Sequence, residues 1–72
     1  MITPTQSRMA RAALGWTIVE LADACRIGKN TVLRMEKGGN TTTDTLKAIE
    51  KAFRDAGVSF PEPHAAKYKP KE

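Results

Sequence analysis

Residues Thr17 to Gly38 read TIVELADACRIGKNTVLRMEKG, and this stretch decides the fold of the chain. Its apolar residues recur at helical spacing in two short blocks, which are separated by Arg26-Ile27-Gly28. We therefore predict two short helices joined by a tight turn. The second helix divides into a packing side and a polar, cationic side, and a small basic helix with one free face can enter the major groove of DNA.

The helix before the turn opens with a capping box, in which the hydroxyl of Thr17 and the carboxylate of Glu20 satisfy backbone amides reciprocally. An apolar stripe then follows at helical spacing: Ile18, Leu21, Ala22 and Cys25. A helix of about two turns is not stable alone. We therefore expect this stripe to dock against the neighbouring helices.

The helix after the turn is predicted over residues 29–37, with Gly38-Gly39 as its end. On a helical wheel, one half carries Thr31, Val32, Met35 and Glu36, and the other half carries Lys29, Asn30, Leu33 and Arg34. The second set suits base recognition, because Lys and Arg donate to guanine, Asn pairs with adenine and Leu can contact a thymine methyl group. The alternative for the same side chains is an ordinary solvated helix face.

One further helix is predicted on each side of this pair. The first runs from Thr3-Pro4 to Leu14 and ends at Gly15, and its shared apolar face consists of Met9, Ala12 and Ala13. The last follows a threonine cap at Thr42 or Thr43 and ends at Gly57. Its buried stripe consists of Leu46, Ile49, Phe53 and Ala56.

The pattern changes after Gly57. Val58-Ser59-Phe60 alternates like a short strand before Pro61 and Pro63, and we expect it to pack on the core or on a second subunit. We predict a folded domain over residues 1–60 and a basic, flexible tail over residues 61–72. The tail lysines are Lys67, Lys69 and Lys71.

Composition narrows the class of protein. The chain has 72 residues, enough for one small domain, and 12 Lys and Arg against 8 Asp and Glu give a net charge of +4. This excess favours a polyanionic partner, although many proteins are as basic without binding nucleic acid. The single cysteine, Cys25, excludes an internal disulfide and is predicted to be a small buried residue. The chain shows neither a membrane span nor a secretory signal, so we expect a cytoplasmic protein without membrane contact.

The stretch from Thr17 to Gly38 resembles the helix-turn-helix of the lambda-repressor-like, or XRE, family of bacterial and phage regulators. The flanks extend the likeness to roughly residues 5–60, through RAALGW at residues 11–16, the Glu-x-Gly at residues 36–38 and TLKAI at residues 45–49. The resemblance implies an all-α fold: a compact domain of four to five helices with a short extended C-terminal segment.

The family resemblance also implies roles for particular residues. Lys29, Asn30 and Arg34 would contact bases, with Leu33 as an apolar contact. The positions assigned to DNA phosphates are Arg8, Arg11, Thr17, Thr31, Gly39, Asn40 and Thr41, and Arg26, which departs from the family pattern, is added because its side chain could reach a phosphate from the turn. Arg11 and Glu36 occupy positions that form a partly buried ion pair in this family, and the alternative for Arg11 is an ordinary surface cation.

Three residues depart from the family pattern. Ile18 stands where many relatives have a phosphate-binding Gln, so that contact should be missing. Arg26 stands where relatives have Gly, and a left-handed backbone there would cost about 1 kcal/mol. Gly28 replaces the usual Ser or Thr cap, which removes a possible hydroxyl contact to phosphate.

These observations together predict a sequence-specific DNA-binding transcriptional regulator. Repression by blocking polymerase is the simplest mechanism, and activation by a small dimer bound upstream is equally open. We expect a homodimer on an inverted repeat of double-stranded DNA, with an interface formed by Phe53, Val58 and Phe60. The alternatives are the antitoxin of a toxin–antitoxin pair, with a protein partner, and a helical interaction module without a role on DNA. We expect no enzymatic activity, cofactor or metal, because the sequence offers no paired acids, nucleophile–base set or metal cluster.

Overall fold

Four helices and a two-stranded antiparallel sheet make up the fold in a computed structural model that describes residues 2–61 and 65–69. The elements in chain order are α1 (Pro4–Leu14), α2 (Ile18–Cys25), α3 (Lys29–Glu36), α4 (Thr43–Asp55), β1 (Val58–Ser59) and β2 (Lys67–Tyr68). The mostly helical, compact architecture predicted from the sequence is confirmed, and the small sheet is added to it. None of the described helices is long and apolar enough to cross a membrane.

Local signals at the helix ends account for the helix boundaries. Thr3 and Thr17 each form a capping box, with Gln6 and Glu20 as the reciprocal partners. Thr42 caps α4 by accepting a hydrogen bond from the amide of Thr45 at 3.2 Å. The caps fix where each helix starts, and the tertiary contacts then stabilise helices as short as eight residues.

The core lies among the four helices and β1. Its buried apolar residues among those described are Ile2, Ala10, Leu21, Ala22, Val32, Met35, Ile49, Phe53 and Val58. Phe53 is fully buried, and its ring stacks on Trp16 with a centroid distance of 5.8 Å. Phe60 meets the same ring edge-on at 6.1 Å. This aromatic cluster joins α4 to the loop before α2 and to the C-terminal segment.

The buried face of α1 differs from the predicted one. Met9 is 39 % exposed, and Ala12 and Ala13 are exposed as well. The buried residues are instead Gln6, Ser7 and Ala10. The prediction was wrong because a helix with small and polar residues on both faces carries a weak hydrophobic signal, and the positions of α3 and β2 decide which face is covered.

The C-terminal segment packs back on its own domain. β1 and β2 pair antiparallel, with Val58 opposite Tyr68, and the amide of Lys69 donates to the carbonyl of Gly57 at 2.8 Å. Gln6 Nε2 donates to the carbonyl of Ala65 at 3.1 Å. Residues 65–69, which the sequence analysis assigned to a flexible tail, are therefore joined to the domain, whereas His64 and Lys71 lie outside the described residues.

The predicted dimer interface needs correction, because two of its three residues are buried. Phe53 is 0 % exposed and Val58 is 2 % exposed, because α4 and β1 bury these side chains in the core of their own chain. Neither side chain is available to a second subunit. Phe60 is half-buried against Phe53.

Candidate nucleic-acid interface

The two sides of α3 have opposite surroundings. Val32 and Met35 are buried against the core, and Glu36 is 6 % exposed. Lys29, Asn30 and Arg34 are exposed, and Leu33 and Thr31 are partly buried. α3 thus rests on α1 and α2 by one side, while its cationic side is open to solvent.

A partly buried ion pair links α1 to the end of α3. Arg11 Nη2 lies 2.7 Å from Glu36 Oε1, and Arg11 Nε donates to Glu36 Oε2 at 2.8 Å. Ser7 Oγ donates to the same Oε2 at 2.7 Å. The hydrogen bond to Glu36 is the largest cause of a raised pKa for Arg11, so the guanidinium stays charged. Because both carboxylate oxygens accept hydrogen bonds, the buried charge of Glu36 is compensated.

Arg11 and Arg8, two of the predicted phosphate contacts, both have hydrogen-bond partners within the protein. Arg11 also donates through Nη1 to the carbonyl of Trp16 at 3.2 Å, so all three of its guanidinium nitrogens have partners inside the protein. Arg8 Nη1 donates to the carbonyl oxygen of Glu36, at the C-terminus of α3. Both arginines fix α3 on α1, because a cation favours the carbonyl end of a helix and Glu36 is an anion.

The turn between α2 and α3 holds the one described non-glycine residue with a left-handed backbone. Arg26 has φ 58° and ψ 41°, and its side chain is exposed. Its amide donates to the carbonyl of Asp23 and that of Ile27 to the carbonyl of Ala22, which is the hydrogen-bond pattern of a Schellman motif. Arg26 thus stands where glycine is the least strained residue.

Ile18 and Gly28 are the other two residues that depart from the family pattern. Ile18 is partly buried against the core cluster, which is a packing role rather than a contact to DNA. Gly28 is the N-cap of α3, and it makes no side-chain hydrogen bond there.

A hollow of about 460 Å³ lies between α3 and the start of α4. It is lined by Thr31, Arg34, Asn40, Thr41, Thr42 and Thr45. The lining residues carry hydroxyl, amide and guanidinium groups beside the N-terminus of α4, although apolar atoms form the larger part of the wall. Such groups donate hydrogen bonds to anions, and a helix N-terminus favours negative charge.

The surface charge of this region is one-sided. Between Arg26 and Thr41 the sequence has four cations, all exposed: Arg26, Lys29, Arg34 and Lys37. Its single acid is Glu36, which is buried and paired with Arg11. The surface formed by the turn and α3 is therefore cationic without an exposed carboxylate of its own.

The sequence analysis did not assign three residues to the site that lie in it or beside it. Ser7 lies one helical turn before Arg11, a spacing that places both on one face of α1, and this signal could have identified it as a second partner for Glu36. Thr42 and Thr45 were interpreted through helix capping and family likeness alone, yet they also line the hollow. Their convergence with Thr31 depends on how α3 and α4 pack, so the sequence carries no signal for it.

Comparison with known proteins agrees with this geometry. The sequence model of the helix-turn-helix family matches residues 8–54, which include most of α1, all of α2, the turn and α3, and most of α4. A search of curated proteins gives no match to the chain. Since the family match covers well over half of the chain and the helices lie as the motif requires, the protein belongs to the lambda-repressor-like (XRE-type) helix-turn-helix family and carries a DNA-binding regulator domain.

Proposed function

We propose that this protein is a sequence-specific transcriptional regulator of bacterial or phage type, acting in the cytoplasm, and that α3 enters the major groove. The observation that carries the proposal is the division of α3: Val32, Met35 and Glu36 anchor one side, and the opposite side is cationic and exposed. A helix anchored in this way can be held at a fixed depth in the groove, which base recognition requires.

Each exposed side chain of α3 has a chemical role in this proposal. Lys29 and Arg34 would donate to guanine O6 and N7, and Asn30 would pair with adenine N6 and N7. The exposed part of Leu33 would contact a thymine methyl group. None of these side chains has an ion-pair partner among the described residues, so contact with DNA breaks no salt bridge.

Phosphate contacts would come from both ends of the motif. At the start of α2, Thr17 is exposed, and Arg26 projects from the turn. On the other side of α3, the hollow offers Thr31, Asn40 and Thr41, and the exposed Gly39 adjoins Asn40. Such contacts position a protein on the duplex without reading its sequence, and they make binding dependent on salt.

We further propose that the protein acts as a homodimer on an inverted repeat, with repression by blocking polymerase as the simplest mechanism. One α3 supplies few base contacts, and two symmetric copies would double them. The two half-sites would then lie about 34 Å apart, one turn of the double helix, or a multiple of that distance. Because Phe53 and Val58 are in the core, exposed residues must form the dimer surface.

The direct test is an electrophoretic mobility shift with the DNA upstream of the protein's own gene, in parallel with selection from a random duplex library. We expect a selected sequence with two-fold symmetry and binding that exceeds binding to random DNA by at least about a thousandfold. Equal binding to selected and random duplexes would refute sequence-specific recognition. Complete lack of binding would favour a protein-interaction module instead.

A further inference from the structure

Gly39 lies directly against the side chain of Arg34. A Cβ atom built on Gly39 would be 2.6 Å from Cγ of Arg34, 3.0 Å from its carbonyl oxygen and 3.5 Å from its Cδ. Carbon atoms in contact sit about 3.5–4.0 Å apart. Any side chain at position 39 would therefore displace the aliphatic stem of Arg34 or the turn itself.

Glycine is needed at position 39 because a side chain would lack space there, and not because the backbone conformation is unusual. The neighbouring Gly38 has φ +84°, a conformation that suits glycine, and a Cβ there would meet nothing within 4 Å. Gly39 has no such positive φ. The two glycines thus have separate tasks in the Schellman motif that ends α3, in which their amides donate to the carbonyls of Met35 and Arg34.

The contact determines where the Arg34 side chain leaves α3. Its stem lies beside Gly39, and the residue lines the hollow together with Thr31 and Asn40. The guanidinium has no ion-pair partner among the described residues, so packing of the stem is what restricts the side chain. A long side chain that is already oriented loses less freedom on binding, and its direction selects which base edge it reaches.

We propose that Gly39 is a specificity-determining positioning residue, which acts through Arg34 by leaving room for its stem and so fixing the base position that Arg34 reads. This inference rests on the proposed function, in which Arg34 contacts bases. Gly39 itself need not touch a base. Its effect should therefore disappear when the Arg34 side chain is removed.

A double-mutant cycle on DNA tests this proposal. The probes are the best duplex selected from a random library by the wild-type protein and an unselected random duplex, at one fixed salt concentration. The variants are G39A, R34A and G39A/R34A. Gly28→Ala is the matched control at the other end of α3, because a Cβ there would meet only Thr31 Oγ1, at 3.9 Å.

We expect G39A to bind the selected duplex about tenfold more weakly, with a much smaller change on random DNA. G28A should weaken the N-cap of α3 and lower stability, but the folded protein should bind within about twofold of wild type, because the added Cβ has ordinary contacts only. In the R34A background, G39A should have a much smaller effect, because Ala has no Cγ to be displaced and only the 3.0 Å approach to the backbone carbonyl of residue 34 remains. Selection repeated with G39A should change the preferred base at the position that R34A also relaxes.

The outcomes separate this inference from the proposed function. If the wild-type protein enriches no sequence, the proposed function fails. Two outcomes with an enriched sequence would refute the positioning role of Gly39. In one, G39A binds that sequence as wild type does; in the other, G39A weakens binding by the same factor with and without the Arg34 side chain. A G39A protein that unfolds, as followed by circular dichroism on heating, also refutes it, because the proposal requires the domain to accept the methyl group by moving the Arg34 side chain.

Discussion

At the scale of single residues, most of the unusual features lie at the ends of helices. α1, α2 and α3 each end in the same backbone pattern, and the left-handed position is occupied by Gly15, Arg26 and Gly38 in turn. Arg26 is the exception, because a side chain in that conformation carries strain that glycine avoids. A strained residue that keeps a cation on the surface beside α3 is what a phosphate contact would explain.

Replacement of Arg26 by Gly tests this balance between stability and binding. We expect R26G to raise the free energy of unfolding by about 1 kcal/mol, because the left-handed conformation becomes relaxed, and to weaken binding to all DNA sequences alike. Urea unfolding and mobility shifts measure the two effects. Arg26→Ala is the control, since it removes the cation but keeps the strain. Stabilisation by R26A, or no change in R26G, would contradict the explanation.

Cys25 gives a prediction that depends on pH. Burial raises the pKa of its thiol to about 11 from an ordinary value of 9.0, because the charged thiolate is poorly solvated. The folded state therefore favours the neutral thiol, and its stabilising contribution is present below pH 9 and is lost as the pH rises towards 11. We expect slow alkylation of the native protein at pH 8 and fast alkylation in urea. Equally fast reaction in both states would show that the thiol is accessible.

At the scale of the elements, the orientation of α3 depends on α1. Ser7, Arg8 and Arg11 all donate hydrogen bonds to Glu36, two of them to its carboxylate and one to its carbonyl. Hydrogen bonds from successive turns of one helix to the last turn of another restrict rotation between the two helices. This arrangement gives both arginines, which resemble phosphate contacts in the sequence, hydrogen-bond partners within the protein.

Removal of the Arg11 side chain should therefore strongly destabilise the folded protein. In R11A, Glu36 would keep a buried charge without its main partner, and we expect a loss of about 3 kcal/mol in the free energy of unfolding. Lys51→Ala is the control, because its pair with Asp55 is highly exposed and should contribute little. Thermal or urea unfolding measures both. Similar stabilities for the two variants would mean that the buried pair does not hold α3 in place.

At the scale of the whole molecule, two groups of exposed cations lie on different elements, in addition to the cations of α1 and α4. Arg26, Lys29, Arg34 and Lys37 are on the turn and α3, and Lys67 and Lys69 are exposed at the C-terminal strand β2. The second group is joined to the domain through the β1–β2 pairing. Any effect of these lysines on DNA should be electrostatic and independent of sequence.

A comparison of R34A with the double variant K67A/K69A separates these two contributions. We expect R34A to cost about 1–3 kcal/mol on a selected duplex and to relax its specificity. K67A/K69A should weaken binding to selected and random duplexes by one common factor. It should also lower the slope of log affinity against log salt concentration by about two at most. Titrations at several salt concentrations measure both effects. A change in sequence preference for K67A/K69A would contradict a purely electrostatic role.

What the sequence by itself determined is local: helix caps, the turn at Arg26, the separation of the two sides of α3 and the family likeness. These features rest on interactions between residues a few positions apart, so a single stretch of chain specifies them. The tertiary structure decided the rest. It buried Ser7 instead of Met9, placed Phe53 and Val58 in the core rather than at a dimer interface, and joined Gln6 to Ala65 across 59 positions. Such pairings depend on how the helices pack in three dimensions, and no local pattern encodes which of several similar faces is covered.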